Sequence, residues 1–275
     1  MIPIEEKLIR SLLKEEYSDL DILLYDSISS TNDMAKEIAK SGVNNRTLLI
    51  ANQQLSGRGT KGRSFFSPEG GVYFTLLDQY SPKTDTLTVI TPIAAVSAAD
   101  AIEEISGKNA DIKWVNDILI SGKKVCGILC ESLHSGKHCH TITGVGANVY
   151  PTENSFPEEL RQTAACICDM NAPEGQRERF IALFLNSYLG YTGTNEHKSV
   201  HDKYEEKLFL AGKEAQVIQS DQSQIVQIIG IDDEFKLVIQ YEDGVTEKLL
   251  SDEVTIQNRT NNILIIKEGQ TYGRD

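Results

Sequence analysis

The sequence of 275 residues is short of several things at once, and each shortage removes a class of protein. Its five cysteines, Cys126, Cys130, Cys139, Cys166 and Cys168, are too few and odd in number for a disulfide scaffold. No apolar run approaches the roughly 18 residues that span a bilayer, so no membrane partner is expected. The stretch from Met1 to Tyr17 carries Glu5, Glu6, Lys7, Arg10, Lys14, Glu15 and Glu16, unlike a secretory leader, and the expected compartment is the cytoplasm. Only 27 Lys and Arg stand against 40 Asp and Glu, a formal net charge of −13. A general nucleic-acid binder needs basic surface to neutralise phosphates, so no nucleic-acid partner is expected. There is no low-complexity linker and no internal repeat. The 40% apolar and 24% charged content is ordinary for a globular chain, and the length suits one large domain or two smaller ones.

The most informative absence is local. From Val43 to Pro68 there is no Asp or Glu, yet Arg46, Arg58, Lys61 and Arg63 are all present. Three of these cations lie in Gly57-Arg58-Gly59-Thr60-Lys61-Gly62-Arg63. Glycines let backbone N–H groups approach a ligand, and each cation offers charge-assisted hydrogen bonds of roughly 1.5–3 kcal/mol. Such a loop suits a phosphate or a carboxylate; a solvated surface turn is the plainer alternative. No Walker A segment and no dinucleotide fingerprint at a strand-to-helix turn is present.

Two further segments carry chemistry. Lys113-Trp114-Val115-Asn116-Asp117 ends a strand, where a lysine can reach a sheet-top pocket and stabilise a transferring phosphate, or simply lie along the surface. In Gly144-Val145-Gly146-Ala147-Asn148-Val149, two glycines within a strand imply close approach by a ligand or another element, or a bulge. Cys130, His134, His138, Cys139 and His140 crowd one hairpin, but their spacing matches no standard zinc pattern and alternation sends neighbours to opposite faces. No metal site is expected.

Periodicity gives the elements. Helices are expected over 3–15, from Ser30-Thr31-Asn32-Asp33 through Lys40, from Pro92 through Ile105, and over Pro157–Cys168, Glu174–Leu189 and Val200–Lys207. Cys166 and Cys168 then read as core thiols on a helix. Strands are expected at Asp21–Asp26, Thr47–Gln53, Gly71–Leu77, Ile112–Val115, Asp117–Ile120, Val125–Leu133 and His140–Val149, with Lys123-Lys124 as turn chemistry. Beyond Leu208 come short strands at Ala215–Gln219, Ile225–Ile231, Leu237–Tyr241, Thr246–Leu250, Val254–Gln257 and Ile263–Ile266. The fold class is α+β: a mixed and antiparallel sheet with helices over residues 1–207, then a small antiparallel β-barrel domain over 208–275.

The motifs occur together in a recognisable order. Ser30-Thr31-Asn32, Gln53-Gln54 with the Gly57–Arg63 loop, Phe66-Ser67-Pro68 with Gly71, Lys113-Trp114 with Asn116-Asp117, Lys123 to Leu129 with Glu131, and Gly144 to Val149 together resemble the biotin protein ligases. The resemblance runs across roughly residues 26–150 and weakly through the C-terminal segment. It implies ATP-dependent ligation of biotin to a lysine of a biotin carboxyl carrier protein, that of acetyl-CoA carboxylase or another biotin-dependent enzyme. The reaction proceeds through biotinyl-5′-AMP, with Mg2+ accompanying ATP.

By that resemblance Lys113 and Arg58 would be catalytic. Ser30, Thr31, Asn32, Gln54, Arg58, Gly59, Thr60, Lys113, Gly127 and Ile128 would bind biotin, the last two as pocket floor. Gly57, Arg58, Arg63, Phe65, Lys113 and Asn148 would bind ATP, with Phe65 flanking adenine and Asn148 reading its edge. The chain departs from the family at Thr60, usually Arg, which removes a cation from the grip on the intermediate. It also departs at Phe65, often Trp, and at Val115, usually Pro.

Some family members carry a winged helix-turn-helix ahead of the catalytic domain. Here Ser30 lies too near the start of the sequence for such a module, so a ligase without DNA binding is expected. A lipoate-type protein ligase, similar in fold and adenylation chemistry, is the enzymatic alternative; it ranks lower because the Gly-rich arginine segment ahead of the lipoate pocket is missing. A non-catalytic sensor of biotin or nucleotide is the other, and Lys113 argues against it.

Overall fold

The computed structural model describes residues 3–42, 45–80, 86–135, 138–152, 156–194, 197–219, 222–250 and 255–258. The chain divides into two compact units, Met1–Phe209 with Asp233–Phe235, and Leu210–Asp232 with Lys236–Asp275.

The first unit is a seven-stranded mixed sheet. Its strands are β1 (Asp21–Ile28), β2 (Thr47–Gln54), β3 (Val72–Tyr80), β4 (Asp111–Lys113), β5 (Asp117–Ile120), β6 (Lys123–Ser135) and β7 (His138–Ala147). They lie in the order β1-β2-β3-β7-β6-β5-β4. Only β1 and β2 run parallel, because α2 (Thr31–Lys40) carries the chain back between them; the other ladders are antiparallel. Helix α1 (Glu6–Leu12) precedes the sheet.

Each face of the sheet has its own cover. On one, Ala35 and Ala39 of α2 pack on Leu49, Leu77 and Ile142. On the other, Phe74 meets Phe180 and Phe184 of α4 (Gln176–Thr192) at ring-centroid distances of 6.1 and 5.2 Å. Fully buried Ile93, Ala94, Ala98, Ala99 and Ile102 line α3 (Thr86–Ser106), whose alanines let it lie close to its neighbours. Burying an Ile or Phe side chain contributes about 1.5–3 kcal/mol, so both layers add to the unit's core. Helix α5 (His197–Glu206) completes it; the Phe235 carbonyl joins this unit by accepting from Trp114 Nε1 at 2.9 Å.

Several expectations need correction. Pro92 does not start its helix but lies inside α3. Buried Val89 and Ile90 extend the apolar face upstream of it, and that burial offsets the hydrogen bond a proline cannot donate. The helix expected over Pro157–Cys168 is only one short turn, Glu158–Leu160. Beyond it the backbone is spent on the sheet. Thr163 O accepts from Lys124 N, while Ala165, Ile167 and Cys168 donate to Lys124, Asn148 and Val149 carbonyls. Cys168 is buried and Cys166 half-buried, on this strap rather than on a helix. The strand expected to reach Val115 stops at Lys113.

The second unit is an antiparallel sheet of β8 (Glu214–Gln219), β9 (Gln222–Ile231), β10 (Leu237–Gln240), β11 (Thr246–Leu249) and β12 (Thr255–Asn258), in the order β11-β10-β9-β8-β12. Among the described residues this is an open sheet with β11 and β12 at its edges, not a closed barrel. The strand expected at Ile263–Ile266 lies outside the described residues. No helix among the described residues is long and apolar enough to cross a membrane.

Candidate active site

One cross-strand row organises the site. Lys113 faces Asp117, Asp117 faces Gly127, Gly127 faces Gly146, and Gly146 faces Tyr73. Residues paired across strands share a face, here the face that α2 covers. The turn that sets Lys113 opposite Asp117 is pinned three times. Trp114 Nε1 donates to Phe235 O at 2.9 Å, Tyr204 Oη to Val115 O at 3.0 Å, and Asn116 Nδ2 to Ile128 O at 2.5 Å. The Trp114–Val115 peptide is cis.

Lys113 is half-buried and has no hydrogen-bonded or ion-paired partner among the described residues. Burial pushes its ammonium below the ordinary lysine value; Lys124 and Arg63 push the same way, and Asp117 opposes them. Lys124, read from sequence as turn chemistry and as part of the Lys123–Leu129 motif but given no role, belongs to this site. Its Nζ pairs with Asp117 Oδ1 at 2.6 Å and stands 5.3 Å from the centroid of the Phe65 ring. The available signal was its place just ahead of Gly127. A bulge between Ile118 and Leu119 shifts the β5–β6 register there, which no spacing rule reveals.

A polar pocket forms where β1 ends and α2 begins. Ser30 caps α2, its hydroxyl accepting from Asp33 N at 3.4 Å. Gln54, at the end of β2, accepts from Thr31 N at 2.9 Å and Thr31 Oγ1 at 3.1 Å, and donates to Ser67 Oγ at 3.1 Å. Asn32 donates to Leu129 O at 3.2 Å and Glu131 Oε2 at 3.0 Å. Thr75, absent from the sequence-based set, joins the two: its hydroxyl lies 2.7 Å from Thr31 Oγ1 and 2.6 Å from Asn32 Oδ1. Ser30, Thr31, Asn32 and Thr75 are all buried, so this hydrogen-bond set fixes their geometry before any ligand arrives.

The glycine loop closes over this ground. Gly57 O accepts from Phe65 N at 2.8 Å and Gly59 N donates to Arg63 O at 2.7 Å, making a small hairpin. Arg63 is turned back on the loop, donating to Thr60 Oγ1 at 2.9 Å and Thr60 O at 3.3 Å. Arg58 Nη1 donates to Asp33 Oδ1 at 2.5 Å, and that hydrogen bond, with the Asp33 charge, raises the guanidinium above its ordinary value. The Phe65 ring covers the row's glycines. A Cβ on Gly146 would meet it at 2.6 Å, and one on Gly127 at 2.9 Å. A Cβ on Gly144 would meet Asn32 Oδ1 at 2.0 Å. The strand glycines thus admit close approach by protein side chains.

Of the expected set, Lys113 and Arg63 are brought together with Lys124. Arg58 is turned to the start of α2, where its Nη1 donates to Asp33 Oδ1 at 2.5 Å. Ile128 does not share a floor with Gly127. Alternation puts its side chain on the opposite face, paired with Val145, and only its backbone serves the site, through Asn116. Asn148 is buried, with Nδ2 on Ala165 O at 3.2 Å and its own N–H on Val125 O at 2.8 Å. A cavity of about 640 Å³, lined by Arg46, Asp78, Tyr188 and Thr192, opens at the other end of β2 and takes no part in this arrangement.

In the Cys/His hairpin, Cys139 Sγ lies 3.0 Å from His134 Nδ1, while the His138 side chain lies outside the described residues. Among the described residues no group of three or more His, Cys, Asp or Glu could hold a metal ion. Chemically, the site offers the half-buried Lys113 and Lys124 with the exposed Arg63, beside a neutral hydrogen-bonding pocket. This combination suits transfer between an anionic acid and a phosphate.

Comparison with known proteins agrees with that geometry. Residues 24–148 match the model of the biotin/lipoate A/B protein ligase family. The chain is 30% identical over 259 residues to the bifunctional ligase/repressor BirA of Bacillus subtilis (strain 168), spanning 92% of this chain and 79% of that one. It is 34% identical over 123 residues to the biotin–[acetyl-CoA-carboxylase] ligase of Paracoccus denitrificans, spanning 44% of this chain and 51% of that one. The solved biotin protein ligase from Aquifex aeolicus in complex with biotin and ATP superposes with a TM-score of 0.72 at 26% identity, covering 86% of this chain and 98% of that one. The chain belongs to the biotin/lipoate A/B protein ligase family.

Proposed function

We propose that this protein is a biotin protein ligase that activates biotin with ATP and transfers it to a lysine of a biotin carboxyl carrier protein. The observation carrying the reading is the adjacency of a preorganised neutral pocket, Thr31–Asn32–Gln54–Thr75, and a cation cluster, Lys113–Lys124–Arg63. The pocket's alternating donors and acceptors suit a ureido ring, which is both donor and acceptor. The cations suit a carboxylate meeting a triphosphate.

In the first step a biotin carboxylate oxygen attacks the α-phosphorus of ATP. The bond to the bridging oxygen breaks and pyrophosphate leaves with its magnesium, which enters as part of the nucleotide substrate. Lys113 and Lys124 stabilise the charge that develops on the α-phosphate, and Arg63 lies toward the departing pyrophosphate, together with Gly57. Arg58 and the backbone of Gly59 and Thr60 close over the mixed anhydride. In the second step the neutral ε-amine of the carrier lysine attacks the acyl carbon. AMP leaves, an amide forms and the amine gives up its proton. Positioning and charge carry both steps. Ser30 holds the pocket's helix turn, Gly127 and the Ile128 backbone support it, and Phe65 and Asn148 take the adenine side.

Residues 1–207 form the catalytic domain in this reading. The antiparallel strands β8 to β12 support a second domain over residues 208–275, and the five free thiols suit a cytoplasmic setting. The test is biotin-dependent exchange of labelled pyrophosphate into ATP, followed by transfer of labelled biotin to an acetyl-CoA carboxylase carrier domain. Exchange with lipoate instead of biotin would move the assignment within the family. No exchange with either acid would overturn it.

A further inference from the structure

We propose that Asp33 is a positioning residue for adenylation: it holds Arg58, and with it the glycine loop, over the pocket while leaving the rest of the guanidinium to the reacting acid and phosphate. The inference rests on the role given to Arg58 above. Asp33 lies in the first turn of α2, whose N-terminus Ser30 caps. Its Oδ1 accepts from Arg58 Nη1 at 2.5 Å and lies 3.7 Å from Lys36 Nζ. Lys36 in turn pairs with Glu131 Oε1 at 2.8 Å, and Glu131 Oε2 accepts from Asn32 at 3.0 Å. A chain of charges therefore runs from the loop's arginine to a pocket residue.

The far end of the loop is tied to the same helix turn. Ser67 Oγ accepts from Gln54 Nε2, and Gln54 Oε1 accepts from Thr31. The first turn of α2 thus anchors both ends of the loop, but the anchors differ. Thr31 is 3% and Ser67 5% exposed, whereas the Asp33 and Arg58 side chains are 47% and 42% exposed. The exposed anchor is the one that can reform around a ligand. A guanidinium carries five N–H donors in a fixed fork. The bond to Asp33 uses Nη1, so the fork can hold the carboxylate on one edge and an anion on another. An exposed ion pair adds little to global stability, so what Asp33 contributes is aim.

The test compares Asp33→Ala, Asp33→Asn, Arg58→Ala and the double variant. The readouts are pyrophosphate exchange with biotin varied and trypsin nicking of the free protein at Arg58, Lys61 and Arg63. Asp33→Ala is expected to raise the biotin KM about fivefold, the scale of one charge-assisted hydrogen bond, with kcat within about a factor of two. Nicking is expected to accelerate. Asp33→Asn, whose amide oxygen still accepts, recovers most of the KM. In the Arg58→Ala background, adding Asp33→Ala changes nothing further. An unchanged or lowered KM in Asp33→Ala, or an effect that persists in full without Arg58, overturns the inference. Wild-type exchange in Arg58→Ala overturns the role of Arg58 itself. An impaired Arg58→Ala beside a wild-type Asp33→Ala overturns this inference alone.

Discussion

Asp117 stands directly opposite Lys113 in the β4–β5 ladder, yet it closes its ion pair on Lys124 at 2.6 Å. Lys113 is left with through-space attraction only, in a half-buried position where Lys124 and Arg63 repel it. A cation kept under-compensated in the free protein is one that an incoming phosphate can satisfy. That is how a site stores electrostatic preorganisation at the cost of local stability.

Lys113→Met should separate those two effects. Adenylation is expected to fall more than about 100-fold, as for loss of a preorganised charge at the reacting centre. The melting temperature is expected to rise by roughly 2 °C, because the variant removes a poorly compensated charge from a desolvated place. Calorimetry alongside pyrophosphate exchange checks both. A fall in melting temperature would mean that Lys113 is structurally compensated after all.

The pH dependence follows with its sign. The folded-state pKa of Lys113 lies below its unfolded value, so the unfolded chain holds the proton more tightly. Stability contributed by this group therefore rises as pH climbs from the folded value toward that of a free lysine. Adenylation falls over the same window as the charge is lost. Lys113→Arg, which stays protonated, should flatten the alkaline limb of the rate profile even where its absolute rate is lower.

Gly144→Ala tests the pocket. Its Cβ would sit 2.0 Å from Asn32 Oδ1, and Asn32 is held by Leu129, Glu131 and Thr75, so it has nowhere to yield. Biotin affinity should drop more than about tenfold, as expected when a buried hydrogen-bond set is broken. Gly127→Ala should be milder for biotin, because its Cβ would meet Phe65 at 2.9 Å and the end of the flexible Lys124 side chain at 3.0 Å. Titration calorimetry with biotin ranks the two; equal losses would remove Asn32 from the pocket.

Thr60→Arg addresses retention of the intermediate. Thr60 now serves as an anchor for Arg63, through its hydroxyl at 2.9 Å and its carbonyl at 3.3 Å. An arginine there adds a cation and releases Arg63 from the hydroxyl. Dissociation of biotinyl-5′-AMP is expected to slow about tenfold, the scale of one added charge-assisted hydrogen bond. Thr60→Val, which frees Arg63 without adding charge, should not slow it. The measurement is the release rate of labelled adenylate from the loaded protein.

Much of this protein was determined by its sequence alone. Alternation and turn residues gave the β4 to β7 antiparallel run, Ser30 gave the start of α2, and the carboxylate-free stretch through Arg63 gave the loop. These are local properties, set by side-chain period, cap chemistry and charge. What only the tertiary structure decided is where distant local signals meet. Segment 157–168 forms little helix because the free backbone groups of Lys124, Asn148 and Val149 take up its own. Lys124 enters the site through a bulge, the Ile128 side chain turns away from it by strand parity, and Arg58 turns to Asp33. Each outcome depends on register and on competition for a partner remote in sequence, and neither quantity is written in any one segment of the chain.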